Sequence, residues 1–402
     1  MILPFSTPPF AIARLPRIVF GEGKVASVAG EIAAVGRRVL LVTGARSFRA
    51  TPHWDRLLND LKARGIGWEA VAVAGEPSPS DVDGMVAEHK GGGFDVVAGI
   101  GGGSALDAAK AVAGLLLPGN SVLDHLEGVG PERPYLGPSL PFVAVPTTAG
   151  TGSEATKNAV LSTRGEAGYK KSFRDERLVA RVAVVDPALL ASCPPALLAA
   201  DGMDAFTQLL ESFVSTGANP LTDALAWSGM EAFRDGLFPA WDGTDETAAA
   251  AGRGRMAYAS LLSGIVLAQT GLGSVHGLAS PLGAFFPVPH GVACGALVAE
   301  AADINIRALK ARSPDSPALD KYARVGALLA GQPPGDRDDA LFTLVEVLRR
   351  WVRDLGLPRL GAYGLGTGDV ARVVAHSRGS SMKTNPIVLT DAEITELVTR
   401  RL

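Results

Sequence analysis

The segment Asp95–Lys110 reads DVVAGIGGGSALDAAK. An apolar, β-branched run opens it, three consecutive glycines follow, and the remainder carries alanine-rich helical spacing. A strand passing through a glycine turn into a helix is the simplest conformation for such a segment, and a near-continuous apolar run suits a strand buried on both faces of a parallel sheet. Comparable runs lie at Arg38–Thr43 (RVLLVT), Val71–Ala74, Phe142–Pro146 (FVAVP) and Val182–Asp186 (VAVVD). Amphipathic stretches such as Trp54–Arg64 and Ser80–Lys90 separate them. This alternation predicts an α/β layer architecture.

The texture changes after Asp186-Pro187. Ala196–Ser215, Pro220–Leu237, Thr247–Gln269, Ser316–Ala330, Asp338–Gly356 and Asp391–Leu402 are alanine- and leucine-rich with helical spacing. The expected organisation is therefore an α/β domain over residues 1–187 and an all-helical domain over residues 188–402. Ala311–Pro317 and Gly331–Arg337 are expected to be surface connections.

Bulk properties exclude several classes. The chain has 402 residues, 47% of them hydrophobic and 20% charged, as in ordinary globular proteins of two domains. A formal net charge of −3, with no basic run, argues against a nucleic-acid surface. The proline-interrupted start lacks the pattern of a signal peptide, and apolar runs in the body are broken before reaching a membrane-spanning length, so a cytoplasmic protein without a membrane segment is expected. The two cysteines, Cys193 and Cys294, rule out a disulfide framework and read as two buried reduced thiols.

Gly101, Gly102, Gly103 and Ser104 suit a phosphate cradle, since backbone N–H groups at a helix N-terminus can approach a pyrophosphate and Ser104 can donate to it or cap the helix. The spacing is not the Rossmann G-x-G-x-x-G, and a tight strand–helix turn also needs glycine. Asp107, one turn before Lys110, is grouped with this candidate site. A second loop, Pro146–Glu154 (PTTAGTGSE), again follows a strand and supplies Thr147, Thr148 and Thr151. Two such loops belong together at the carboxyl ends of one sheet, where dinucleotides bind. After Val42-Thr43 come Gly44, Ala45, Arg46 and Ser47, with no carboxylate to grip a ribose 2′-hydroxyl. NADP is thus favoured over NAD; the alternative is that Arg46 and Arg49 are solvated loop charges.

Two of the six histidines, His276 and His290, fall in the uncharged stretch Gly271–Cys294 (GLGSVHGLASPLGAFFPVPHGVAC). Asp204 and Gln208 are four apart, so they share one helix face. A carboxylate on a helix with two later imidazoles makes a plausible divalent transition-metal site. His53, His89, His125 and His376 read as solvated.

Arg17–Gly23 (RIVFGEG), Gly101–Lys110, Pro146–Glu154, Val185-Asp186-Pro187, Gly202–Glu211, Ala218–Leu225 and His276–Gly291, in this order, resemble the iron-containing (group III) alcohol dehydrogenases of the dehydroquinate-synthase-like superfamily. The resemblance spans nearly the whole chain. It implies a Rossmann-like nucleotide-binding domain, an all-α domain, and a cleft between them. It also implies that Asp204, Gln208, His276 and His290 hold the metal, Fe²⁺ with Zn²⁺ as alternative, and that Asp204, His276 and His290 are catalytic. Gln208 stands where the family has histidine; its amide is a weaker ligand or a hydrogen-bonding neighbour. Ser280 stands where the family often has another histidine, so a proton relay would run through water, a hydroxyl or the cofactor ribose. Lys170 is implied as a cofactor contact, and a homodimer as the assembly. The implied activity is reversible hydride transfer between NADP or NAD and a small or medium alcohol or aldehyde. The rival readings are a metal-independent reductase resembling the maleylacetate reductases and a non-catalytic nucleotide-binding protein.

Overall fold

The computed structural model describes residues 9–331 and 336–402. Six strands form one parallel sheet: β1 (Arg17–Phe20), β2 (Arg38–Gly44), β3 (Gly67–Val73), β4 (Val96–Gly101), β5 (Phe142–Pro146) and β8 (Val182–Val185), in the order β1-β8-β5-β4-β2-β3. An antiparallel hairpin, β6 (Asn158–Thr163) and β7 (Tyr169–Arg174), stands apart from it. Helices α1 (Val28–Ala33), α2 (Pro52–Ala63), α3 (Pro79–His89) and α4 (Gly103–Leu115) cover the sheet.

The two faces explain the apolar runs. Along β2, Leu40 and Val42 enter one buried cluster with α3 and α4, while Val39 and Leu41 enter another with α1 and α2. Alternate side chains therefore meet different apolar layers, and no position on a central strand is free to be polar. The chain leaves β2 for β3 on one side and β4 for β5 on the other, so a crevice opens at the carboxyl ends of β2 and β4.

From Pro187 onward the described residues contain helices and no strand. They are α5 (Pro195–Val214), α6 (Pro220–Asp242), α7 (Glu246–Thr270), α8 (Ser274–Phe285), α9 (His290–Arg312), α10 (Pro317–Ala330), α11 (Arg337–Asp354), α12 (Val370–Ala375) and α13 (Asp391–Thr399). Helix α5 is buried almost all round, as befits the centre of a bundle rather than a surface helix. Phe206 on α5 packs with Phe233 and Trp351, ring centroids 4.9 and 5.5 Å away. Among the described residues no single helix is long and apolar enough to cross a membrane.

Several expectations need correction. β1 is absent from the expected strands because it is only four residues long and lies at a largely exposed sheet edge, although Ile18, Val19 and Phe20 are apolar. The β6–β7 hairpin escaped because its outer positions carry lysine, serine and arginine. Helices α8 and α9, the latter 23 residues long, are not among the expected helices, and both begin in the glycine-containing stretch Gly271–Cys294. His89 is buried, with Nδ1 2.9 Å from the Met85 carbonyl oxygen, and is not solvated. Cys193 is half-buried, whereas Cys294 is fully buried. Most of the predicted connection Gly331–Arg337 lies outside the described residues, as do residues 1–8.

The two halves meet backbone to backbone where Gly152, with φ +60°, abuts Gly264 on α7. A methyl group at Gly264 would overlap the Gly152 carbonyl, while one at Gly254 on the same helix meets nothing within 4 Å. Gly264→Ala is expected to cost about 1–3 kcal/mol or more from forced separation. Gly254→Ala should gain about 0.5–1 kcal/mol from helix propensity. Urea unfolding midpoints should therefore move in opposite directions for the two variants.

Candidate functional site

A cleft of about 620 Å³ runs from the sheet's carboxyl edge to the helical half. Gly44 and Ser47 line it after β2, and Gly102, Gly103 and Ser104 after β4. Thr147, Thr148 and Thr151 line it after β5. Asp204, Gln208, His276 and His290 lie along the same cleft, as does Ser280. Gly101 is buried beneath the wall, and the exposed Arg46 is not part of the lining. Arg49 is held inward, its Nε donating to Thr43 Oγ1 at 2.7 Å.

The glycines serve the packing of one loop on the other as much as any ligand. A Cβ on Gly103 would stand 2.7 Å from Thr151, and one on Gly102 3.2 Å from Thr148. The N-cap of α4 is Gly102, with no side-chain hydrogen bond, so Ser104 does not cap the helix. First-turn N–H groups of α4 consequently face the cleft without a side-chain partner, the arrangement that suits a pyrophosphate.

Asp107 and Lys110 tie this region together. Lys110 is fully buried, and its Nζ donates to the Ser153 carbonyl (2.8 Å), Thr156 Oγ1 (2.9 Å) and the Asn158 carbonyl (2.6 Å). Asp107 accepts from Ser153 Oγ at 2.5 Å and from the Val160 N–H at 3.2 Å. Both its oxygens are thus occupied in fastening the second loop and β6 to α4. Lys170 on β7 points into the cleft and pairs with Glu76 at 2.8 Å.

In the helical half, side chains distant in sequence converge. His276 Nε2 lies 3.2 Å from Asp204 Oδ1, and His290 Nε2 lies 3.7 Å from the same oxygen. Cys294 Sγ stands 3.6 Å from His276 Nε2 and 3.9 Å from His290 Nε2. One donor atom from each of the four residues lies within 4.8 Å of all the others. Gln208, one turn beyond Asp204, accepts from Ser263 Oγ at 2.7 Å through Oε1.

Electrostatics prepare the donors. Burial alone would raise the Asp204 carboxyl, but the imidazoles of His290 and His276 pull it down to about 2. Burial, together with the charges of Lys170 and His276, lowers His290 to about 4, leaving it neutral at physiological pH. Asp201, half-buried about one turn before Asp204, is pushed up to about 7 by desolvation and by the Asp204 charge. Burial pulls His276 down, but Cys294, Asp204 and Glu211 raise it well above its ordinary value, so a binding ion must displace a proton from its Nε2, whereas His290 and Asp204 already have the protonation that ligation requires. The donor set fits a divalent transition metal.

Two members were not found from the sequence. Glu211 Oε2 lies 2.7 Å from His276 Nδ1, and the same carboxylate accepts the Gly273 and Val275 N–H groups. It fixes the ring so that Nε2 faces the cluster. Cys294, expected only as a buried reduced thiol, is the other. Spacing carried both signals: Asp204, Gln208 and Glu211 follow the i, i+4, i+7 pattern of one helix face, and Cys294 is four residues after His290 on α9.

The profile of the iron-containing alcohol dehydrogenases matches residues 16–187, and that of the Fe-containing alcohol dehydrogenase family C-terminal region matches residues 198–402. The chain belongs to the iron-containing alcohol dehydrogenase family. Alcohol dehydrogenase 4 of Saccharomyces cerevisiae (strain YJM789) is 33% identical over 390 residues, covering 95% of this chain and 96% of that one. Lactaldehyde reductase of Escherichia coli (strain K12) is 31% identical over 343 residues, covering 84% and 85%. The crystal structure of a 1,3-propanediol oxidoreductase superposes with a TM-score of 0.85 at 29% identity, covering 98% of this chain and all of that one. An iron-containing alcohol dehydrogenase from Thermotoga maritima gives 0.82 at 28% identity, covering 98% and 99%.

Within this family frame, Glu211 yields a direct test. Glu211→Gln replaces one accepting oxygen with a donor facing His276 and two N–H groups. Metal affinity, measured by competitive chelator titration, is expected to fall about 10- to 100-fold.

Proposed function

We propose that the protein is a metal-dependent, NAD(P)-linked alcohol dehydrogenase and aldehyde reductase acting on small or medium alcohols. The observation that carries this reading is the convergence of Asp204, His276 and His290 at one end of a cleft whose other end is lined by three strand-end loops. Relatives named as alcohol dehydrogenases and a lactaldehyde reductase support the substrate class.

Asp204, His276 and His290 would hold the ion, with Glu211 positioning His276. A bound divalent cation would supply Lewis-acid stabilisation of negative charge developing on the alcohol oxygen, and a nicotinamide would supply the hydride acceptor or donor. The residues themselves bind, orient and exclude water. Backbone N–H groups at the start of α4, with Gly102, Gly103 and Ser104, receive the pyrophosphate, while Thr147, Thr148 and Thr151 line the adjoining trough. Lys170, neutralised by Glu76, offers a donor without a net charge to the cofactor site. Ser280 lines the cleft but is no base near neutral pH, so a proton relay would run through water, a hydroxyl or the cofactor ribose. Gln208, held by Ser263, orients water or substrate beside the donors.

A division at Asp186-Pro187 into domains 1–187 and 188–402, a cytoplasmic setting and a homodimeric assembly belong to the same proposal. The free cysteines and family membership support it.

The test is direct. Protein purified without chelator should contain stoichiometric metal and oxidise NAD(P)H with short aldehydes. Activity should vanish on chelation and return with Fe²⁺ or Zn²⁺, and Asp204→Asn should lower kcat/KM by about 100-fold or more. Full activity in metal-free protein would favour the metal-independent reductase; no turnover with any aldehyde would favour a binding protein.

NADP is the proposed preference, supported by the absence of a carboxylate between Gly44 and Ser47. The kcat/KM ratio for NADPH over NADH should fall several-fold in Arg46→Ala. An unchanged ratio would reduce Arg46 to a solvated charge, as its exposure allows.

A further inference from the structure

The Gln208 departure leaves the donor set one imidazole short, and the structure contains a replacement. Cys294 Sγ lies 3.6 Å from His276 Nε2 and 3.9 Å from His290 Nε2. Bond lengths of about 2.3 Å to sulfur and about 2.1 Å to nitrogen place tetrahedral neighbours about 3.5 Å apart. The observed separations are therefore close to those of ligands on one ion. Asp204 Oδ1 completes the set at 3.2 Å from His276 Nε2 and 3.7 Å from His290 Nε2.

Gln208 is the weaker claimant. Its amide oxygen already accepts from Ser263 Oγ at 2.7 Å, and a neutral amide cannot match the donor strength of a thiolate. The sulfur is fully buried and its neighbours are the imidazoles. The chain's other cysteine, Cys193, lies outside the donor cluster. Without an ion, burial raises the Cys294 thiol to about 12, and His276 pulls the other way. A coordinating divalent cation reverses that balance, because a ligating thiol is deprotonated outright.

We propose that Cys294, and not Gln208, is the fourth protein donor to the metal, giving an Asp204–His276–His290–Cys294 set that favours Zn²⁺ over Fe²⁺. The inference rests on the metal-dependent reading above and specifies its ligand chemistry. Sulfur is a soft donor, and its exchange for an imidazole moves selectivity away from iron without moving the site.

The experiment loads chelator-stripped protein with Co²⁺ and reads cobalt stoichiometry and the near-ultraviolet spectrum together. The expected result is stoichiometric cobalt with a thiolate-to-cobalt charge-transfer band. That band should persist in Cys193→Ser and Gln208→Ala, and disappear in Cys294→Ser while cobalt remains bound. Stoichiometric cobalt in the unsubstituted protein without the band overturns Cys294 ligation and leaves the metal-dependent reading standing. Failure to take up cobalt or Zn²⁺ overturns both. Should Cys294→Ser not fold, X-ray absorption on the zinc-loaded unsubstituted protein decides the matter. One sulfur at about 2.3 Å supports the proposal, and a shell of nitrogen and oxygen alone at about 2.0–2.1 Å overturns it.

Discussion

A carboxylate–imidazole–carboxylate chain, Asp204–His276–Glu211, lies buried in the helical half of this protein, and the geometry of the cleft depends on it. Removing a carboxylate from water costs several kcal/mol in a protein interior, so two of them survive here only because the ring between them and nearby N–H groups satisfy their oxygens. Asp204 and Glu211 stand two turns apart on α5, and His276 reaches across from α8. The imidazole is thereby clamped at both nitrogens, and its Nε2 is aimed at the space shared with His290 and Cys294. Such a cluster contributes less to stability than apolar residues of the same volume could. Its retention fits a functional demand for convergent donors.

The sheet half meets this cluster through a second buried polar knot. Lys110, with Asp107, fastens the threonine-rich loop to the helix that begins after the triglycine. The glycines admit that loop at van der Waals distance, and Gly152 admits α7 behind it. The two loops and the helices that carry the donor residues therefore line one continuous cleft. The N-terminus of α4 and the donor residues line the same cleft.

Family membership and this architecture agree, and the departures are local. Gln208 and Ser280 stand where the resemblance led histidines to be expected, in a fold that matches the family over nearly the whole chain. Gln208 is hydrogen-bonded to Ser263, and Ser280 faces the cleft. A thiol one helical turn beyond His290 stands where a missing donor can be recovered. Substitution at one ligand position and compensation from another helix is a modest change in sequence, and a large one in metal chemistry.

Much of this was legible in the chain. Strands buried on both faces must be apolar throughout, so β2, β4, β5 and β8 announce themselves, and the long helices after Pro187 carry their own period. Glycine and threonine loops are recognisable from residue type and spacing, whereas the grouping of Asp204 with the two histidines as a ligand set came from the family resemblance. The edge strand β1 and the hairpin β6–β7 were not, because exposed positions leave the pattern unconstrained. Burial of His89, the clamp by Glu211 and the approach of Cys294 to the imidazoles were decided only by tertiary structure. Each depends on where two helices cross, and a one-dimensional period states which face a residue occupies without stating what that face will meet.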